Sequence, residues 1–309
     1  MFAPSSRTNV LTLTLAAACW GVGTVVSKRA IEEIPPLTLL PIQLGVSLAV
    51  LAILMRWRGL PFRDPSASPV LGRLGILNPG MAYALSLLGL VSITASLSVM
   101  IWAIEPLIIL LLAGWFLRER VGSSLVVLSL VALGGLVLVI GQPGGGSLVG
   151  VLLTIAGVVC CASYTVVTRR WLVTAYSTTQ VIVAQQAHAI AFALVLVAAA
   201  WLLGGGPWPV GVTAAGWASA IVSGILYYAL AYWFYLSGLR NVPASLAAVS
   251  FYLIPIFGVA GASVLLGEHL DASQWVGVVI VLAAVLLITR RTTAADPATI
   301  DRPVVSARA

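Results

Sequence analysis

Glu105 is the residue of this 309-residue sequence best placed to do chemistry, because its carboxyl group stands inside a long apolar run. Ser98 and Trp102 precede it at helical spacing, so the three share one face. An acidic side chain there opposes membrane insertion by about 2.5–3.5 kcal/mol, and something must compensate. A cavity-facing carboxylate could bind an ammonium group or take up a proton. A protonated Glu105 hydrogen-bonded between helices satisfies the same requirement without any function.

Tyr228, Tyr232 and Tyr235 form a second stripe, at i, i+4 and i+7. Such rings offer both contact area and a hydroxyl, which suits a pocket for a partly apolar solute, although an interfacial belt or plain packing uses them equally. Trp20, Thr24 and Ser27 share a face further upstream, and Cys161, Tyr164 and Thr168 share a comparable one. Gln43, Gln185 and His188 put hydrogen-bonding groups into apolar runs, where each needs a helix partner, water or substrate. Pro106 and Pro255 fall mid-segment and Asn78-Pro79-Gly80 interrupts another segment, so Pro79, Pro106 and Pro255 are candidate hinges or fixed kinks.

No catalytic constellation accompanies these groups. His188 and His269 are the only histidines, no His/Cys cluster has metal-ligand spacing, and no nucleophile motif or P-loop is present. The reading is therefore a non-enzyme without metal or cofactor. Cys19, Cys160 and Cys161 read as small buried hydrophobes. The net charge of +7 comes from sixteen scattered Lys and Arg residues with no basic stripe, so nucleic acid is not an expected partner.

Helices must position all of these residues. The chain is 61% hydrophobic and 8% charged, too few charges to clothe a water-soluble surface. Apolar segments of membrane-crossing length are expected at roughly 10–29, 37–55, 70–90, 93–117, 123–141, 148–168, 180–203, 213–236, 243–266 and 273–289. Pro35-Pro36, Pro61 with Pro65, Gln142 to Gly146 and Gly204 to Pro207 supply breaks, and a polar tail over 290–309 is expected to be disordered. Placing the N-terminus in the cytoplasm puts 14 of the 16 Lys and Arg residues on that side, leaving only Lys28 and Arg29 outside. Both termini are then cytoplasmic, in a bacterial inner membrane. Arg7 followed by an apolar run and Ala16-Ala17-Ala18-Cys19 also fits a cleavable signal or lipoprotein sequence.

An internal repeat argues that this first segment is retained. Residues 19–29 align without a gap on 160–170, sharing Thr-Val-Val-Ser/Thr and two basic residues. Ala95-Ser96-Leu97, Pro106 and Glu119 match Ala244-Ser245-Leu246, Pro255 and Glu268 with identical separations, and Gly89 pairs with Gly238. The repeat unit is five segments long, and an odd unit must be inverted in the membrane. Inverted repeats allow a central site to be exposed to each side in turn. At matched positions Glu105 faces Ile254, Pro79 faces Tyr228, Tyr83 faces Tyr232 and Ser86 faces Tyr235. The expected organisation is a short N-terminus (1–9), a first repeat (10–141), a linker (142–147), a second repeat (148–289) and the tail.

With Ala16-Ala17-Ala18-Cys19-Trp20-Gly21-Val22-Gly23, the Pro106–Glu119 and Pro255–Glu268 runs, and Ser237-Gly238-Leu239-Arg240 before Ala244-Ser245, the sequence resembles the drug/metabolite transporter superfamily. Within it, the resemblance is to ten-helix EamA-type members over roughly residues 10–290. It implies an all-α integral membrane fold in which helices 1–4 and 6–9 surround a central cavity. Among such proteins the chain is most similar to bacterial exporters of amino acids, including YddG-type exporters of aromatic ones. Glu105 departs from the family pattern. The expected function is secondary transport of a small neutral or zwitterionic metabolite, and a proton is a possible coupling ion. A passive channel or membrane scaffold is the alternative, followed by an integral membrane enzyme. No Lys or Arg lies near the middle of any segment, which disfavours phosphorylated substrates.

Overall fold

The computed structural model describes residues 6–59, 69–93, 98, 101–102, 104–118, 122–140, 147–172, 177–203, 209–242, 244–266 and 272–294. The expected breaks at Pro61 and Pro65, at 142–146 and at 204–207 lie outside these residues, as do Ala95, Ser96, Leu97, Glu119, Glu268 and His269.

The described residues are helical, with no strand among them. Helix α1 is Ser6–Ile31 and α2 is Pro36–Trp57. Helix α3 comprises Pro69–Gly75, a π-helical stretch Ile76–Met81, and Ala82–Ser92. Then come α4 (Glu105–Phe116), α5 (Ser123–Ile140), α6 (Leu148–Leu172) and α7 (Thr178–Leu202). Helix α8 comprises Ala214–Ser223, a π-helical stretch Gly224–Leu230, and Ala231–Leu239. Helix α9 comprises Ala244–Val249, a 3₁₀ turn Ser250–Leu253, and Ile254–Leu266, and α10 is Ala272–Ala294. Six spans, in α1, α2, α3, α6, α7 and α8, are long and apolar enough to cross a bilayer. Shorter apolar helices occupy α4, α5, α9 and α10.

Three sequence expectations change. The segment expected over 93–117 is not described as one helix, since α4 begins at Glu105. Glu105 and Pro106 thus occupy a first turn rather than the middle of a helix. Proline is tolerated there because the first N–H groups of a helix have no intrahelical acceptor. Pro255 keeps its expected place inside a segment: it lies within α9, with Ile254 between it and the 3₁₀ turn. At the other end, α10 continues to Ala294, so the chain is still helical at residue 290.

The two π-helical stretches have one cause in each half. Gly75 and Gly224 let a neighbouring backbone come into contact: a Cβ on Gly75 would overlap the Gln185 carbonyl of α7, and one on Gly224 would lie 2.8 Å from the Gln43 carbonyl of α2. Immediately afterwards each helix widens by one residue, and Ala82 and Ala231 bond back to Leu77 and Leu226. In α3 the change is sharper. Asn78 is extended (φ −151°, ψ 123°), as the residue before a proline prefers.

Packing partners recur between the halves. α3 packs on α6 as α8 packs on α1, α4 on α6 as α9 on α1, and α2 meets α8 as α7 meets α3. α5 and α10 pack chiefly on each other. Tryptophans at helix ends, including Trp57, Trp115, Trp201 and Trp275, are exposed, as aromatic residues at a membrane–water boundary are.

Candidate functional site: an aromatic cavity with one carboxyl group

Among the described residues, a cavity of about 90 Å³, several times the ~10–15 Å³ that one water needs, lies between the helices of both halves. α1 contributes Trp20, Thr24 and Ser27; α3 contributes Asn78, Tyr83 and Ser86; and α6 contributes Cys161, Tyr164 and Thr165. Tyr227, Tyr228, Tyr232 and Tyr235 come from α8, Phe251, Ile254 and Pro255 from α9, and Glu105 from α4, with Ser98 and Trp102 just before it.

Of the expected binding residues, Trp20, Tyr83, Ser98, Trp102, Glu105, Tyr164, Tyr228 and Tyr232 therefore line one cavity. Gln43, Gln185 and His188 do not. Gln43 is fully buried behind it, where its amide donates to Ser27 Oγ (3.0 Å) and Ser223 Oγ (2.7 Å), tying α2 to α1 and α8. Gln185 accepts from the Tyr164 hydroxyl at 2.7 Å, so it orients a cavity residue. His188 is exposed; its Nδ1 lies 2.8 Å from the Ala184 carbonyl, one turn back on its own helix. Among the expected hinges, Pro255 lines the cavity, Pro79 lies in the π-helical stretch beside Asn78, and Pro106 follows Glu105.

Most of the ring pairs pack edge to face, with Tyr83–Trp102 and Tyr235–Phe251 tilted. Tyr83 stands at the centre, 5.1 Å from Tyr227, 5.4 Å from Tyr228 and 5.8 Å from Trp102 between ring centroids. Trp20 is 5.6 Å from Tyr232, 5.3 Å from Tyr235 and 5.4 Å from Phe251. These separations match the edge-on arrangement that the ring quadrupole favours, which fixes the wall shape. Tyr227 and Tyr228 both reach the cavity although they are adjacent in sequence, because the π turn widens the face they share.

Glu105 is only 3% exposed, its carboxyl group hydrogen-bonded to the Cys161 thiol, and its Oε1 has no hydrogen-bond partner among the described residues. None of the described residues lining the cavity is Lys, Arg or His. A buried carboxyl group without a cationic neighbour is costly, and a cationic or protonated guest relieves that cost. Asn78 Oδ1, Ser86 Oγ and Trp20 Nε1 are equally unpartnered, while the Tyr235 hydroxyl faces Thr165 and the Tyr232 hydroxyl faces Tyr83. Buried polar atoms normally find partners, so this concentration marks a place where polar groups are kept for something else.

The sequence analysis did not single out Tyr227, Thr165 or Phe251. Thr165 and Phe251 carried a signal, since they are the repeat mates of Thr24 and Trp102. Tyr227 carried none at regular helical spacing.

The same two-fold construction identifies the family. Residues 7–141 and 148–290 each match the EamA-like transporter family. The chain belongs to that family. As an EamA-family member of the drug/metabolite transporter superfamily, it is a multi-span membrane transporter. An uncharacterized transporter of Archaeoglobus fulgidus is 24% identical over 91% of this chain and 98% of its own length. The uncharacterized transporter YvbV of Bacillus subtilis is 25% identical over 96% of each. A solved crystal structure shares the EamA chain's fold, with a TM-score of 0.75 and 20% identity, covering 93% of this chain and 99% of that one.

Proposed function

We propose that this EamA-family chain crosses the inner membrane ten times, with both termini in the cytoplasm, as two inverted five-helix halves that expose the aromatic cavity alternately to either side. Six full-length apolar spans, four shorter apolar helices and the interchanged packing partners support that count and symmetry. The transported solute is a small neutral or zwitterionic metabolite, first of all an amino acid with an aromatic or apolar side chain, as in exporters of the YddG type. The observation that carries this reading is the Glu105 carboxyl group, buried in a ring-lined cavity without a basic residue. It would take the ammonium group of the solute and, when the solute leaves, a proton in its place. Trp20, Tyr83, Ser98, Trp102, Tyr164, Tyr228 and Tyr232 surround the solute, while Gln185 acts through Tyr164.

Counterflow in liposomes containing the purified protein tests the proposal. Exchange of labelled phenylalanine or leucine above empty vesicles is expected. No exchange for any amino acid would sink the assignment. Glu105→Gln should abolish the pH dependence of transport and weaken amine binding roughly 10–100-fold, the worth of a hydrogen bond to a charged group at ~1.5–3 kcal/mol. An unchanged pH profile would make Glu105 a structural residue.

A further inference from the structure

The unpartnered polar atoms of the cavity are sorted by chemistry. The acceptors, Glu105 Oε1 and Asn78 Oδ1, belong to α3 and α4 of the first half. Among the described lining atoms without partners, Trp20 Nε1 of α1 is the obligate donor; hydroxyls, which donate or accept, come from Ser86 of α3 and from Thr165, Tyr232 and Tyr235 of α6 and α8. Trp20 touches the rings of both Tyr232 and Tyr235, and Thr165 stands beside the Tyr235 hydroxyl. These four side chains are between 0% and 6% exposed and line the cavity; the indole N–H has no partner, the Tyr235 and Thr165 hydroxyls face each other, and the Tyr232 hydroxyl faces Tyr83.

We infer that Trp20 Nε1 and the hydroxyls of Thr165, Tyr232 and Tyr235 form a neutral-donor subsite for the carboxylate of the solute. The inference rests on the transport reading above and assigns the other end of the same molecule. An indole can only donate, so an acceptor is what it lacks. A hydroxyl rotates to donate, so four neutral groups lining the same cavity can supply donors without placing a full positive charge in the membrane interior. That matters here for two reasons. A buried Lys or Arg would cost more to insert, and it would pair with Glu105 and shut the site to an ammonium group. Neutral donors receive a carboxylate and leave Glu105 free. The cavity then has an acceptor end built on α3 and α4 and a donor end built on α1, α6 and α8, matching the two ends of a zwitterion.

Discrimination follows from the same arrangement, because a site built to hydrogen-bond a group rejects an analogue that lacks it. The probes are L-phenylalanine and its decarboxylated counterpart 2-phenylethylamine, which share the ring and the ammonium group. Affinities are read from inhibition of counterflow and from calorimetric binding to the purified protein. For wild type, L-phenylalanine should bind at least 10-fold more tightly than the amine. Tyr235→Phe and Thr165→Val should each weaken L-phenylalanine about 5–20-fold while moving the amine less than 2-fold. Retained amine binding shows in the same sample that each variant is folded, and both substitutions conserve shape. If a variant that binds the amine normally also binds L-phenylalanine normally, or if both ligands weaken together, the subsite assignment is overturned. If wild type binds the amine but not the amino acid, the assignment fails while transport of an ammonium solute stands. Binding of neither ligand overturns both.

Discussion

The two halves of the molecule are alike in backbone and unlike in chemistry. Gly75 and Gly224 are 149 residues apart, and each abuts the backbone of a glutamine on the second helix of the opposite half. Gly89 and Gly238 repeat the pattern against α6 and α1, where Cβ atoms would meet Thr154 and Leu13. Both π-helical stretches follow at matched places. Side chains at the cavity diverge instead: Glu105 against Ile254, Trp102 against Phe251, Ser86 against Tyr235, Trp20 against Cys161. Close backbone contacts leave little freedom, so they persist in both copies; cavity-facing positions bear no such constraint and can specialise. A repeated pair with identical chemistry would line the cavity with the same surface twice. Here the first half supplies the carboxyl group and the second most of the hydroxyls.

The glycine contacts offer the strongest test of the shared backbone. Gly75→Ala should destabilise the protein by about 1–3 kcal/mol, because backbone atoms obstruct the new methyl group and no side chain can yield. Gly224→Ala should cost less, since its nearest obstruction is 2.8 Å away and part of the contact is the Val46 side chain. Thermal unfolding in detergent ranks the two. A Gly75→Ala protein as stable as wild type would break the structural half of the comparison.

Gln186 sharpens it. Its amide donates to the Tyr228 carbonyl in the π stretch (2.8 Å), and its Oε1 accepts from Ser47 Oγ (2.6 Å), binding α7 to α8 and α2. The corresponding residue of α2, counting from the helix starts, is Leu44. Gln186→Leu should therefore cost about 1–3 kcal/mol by stranding two buried groups. Adding Ser47→Ala should recover part of it. Failure of that rescue in a double-mutant cycle would separate the two bonds.

Glu33, between α1 and α2, should have the smallest effect. Its carboxylate accepts from the Thr213 N–H (2.7 Å) and hydroxyl (2.9 Å) at the start of α8, and these bonds, the backbone one first, hold its pKa below the usual 4.5. A depressed pKa means the contribution is present at neutral pH, above the unfolded value, and is lost as pH falls through the folded one. Protection of the Thr213 amide, the intrinsic exchange rate at the same pH relative to the observed one, should fall as the medium is acidified below about pH 4, and should be low at all pH values in Glu33→Ala. A pH-independent protection factor in wild type would remove Glu33 as the tether.

How much of this was legible beforehand follows from which forces act locally. Glu105, the Tyr228–Tyr235 stripe and Trp20 stood out because a polar or amphipathic group in an apolar segment is conspicuous without tertiary information. The repeat, and with it the family, was also readable, since gapless spacing survives in the chain itself. His188, Gln43 and Gln185 were conspicuous for the same reason as Glu105, yet they lie outside the cavity. Composition marks a polar group as needing a partner without naming the partner.

The sequence by itself determined a membrane protein of repeated apolar helices with a carboxyl group in an apolar run, because hydropathy and repeat spacing are properties of the chain alone. Only the tertiary structure decided that Glu105 opens a helix rather than sitting within one, and that the glutamines serve as struts. It alone brought Tyr227, Thr165 and Phe251 into the cavity. Those outcomes depend on π turns, a 3₁₀ turn and glycine-mediated backbone contacts, which rotate faces between helices far apart in sequence, and no periodicity within one segment encodes them.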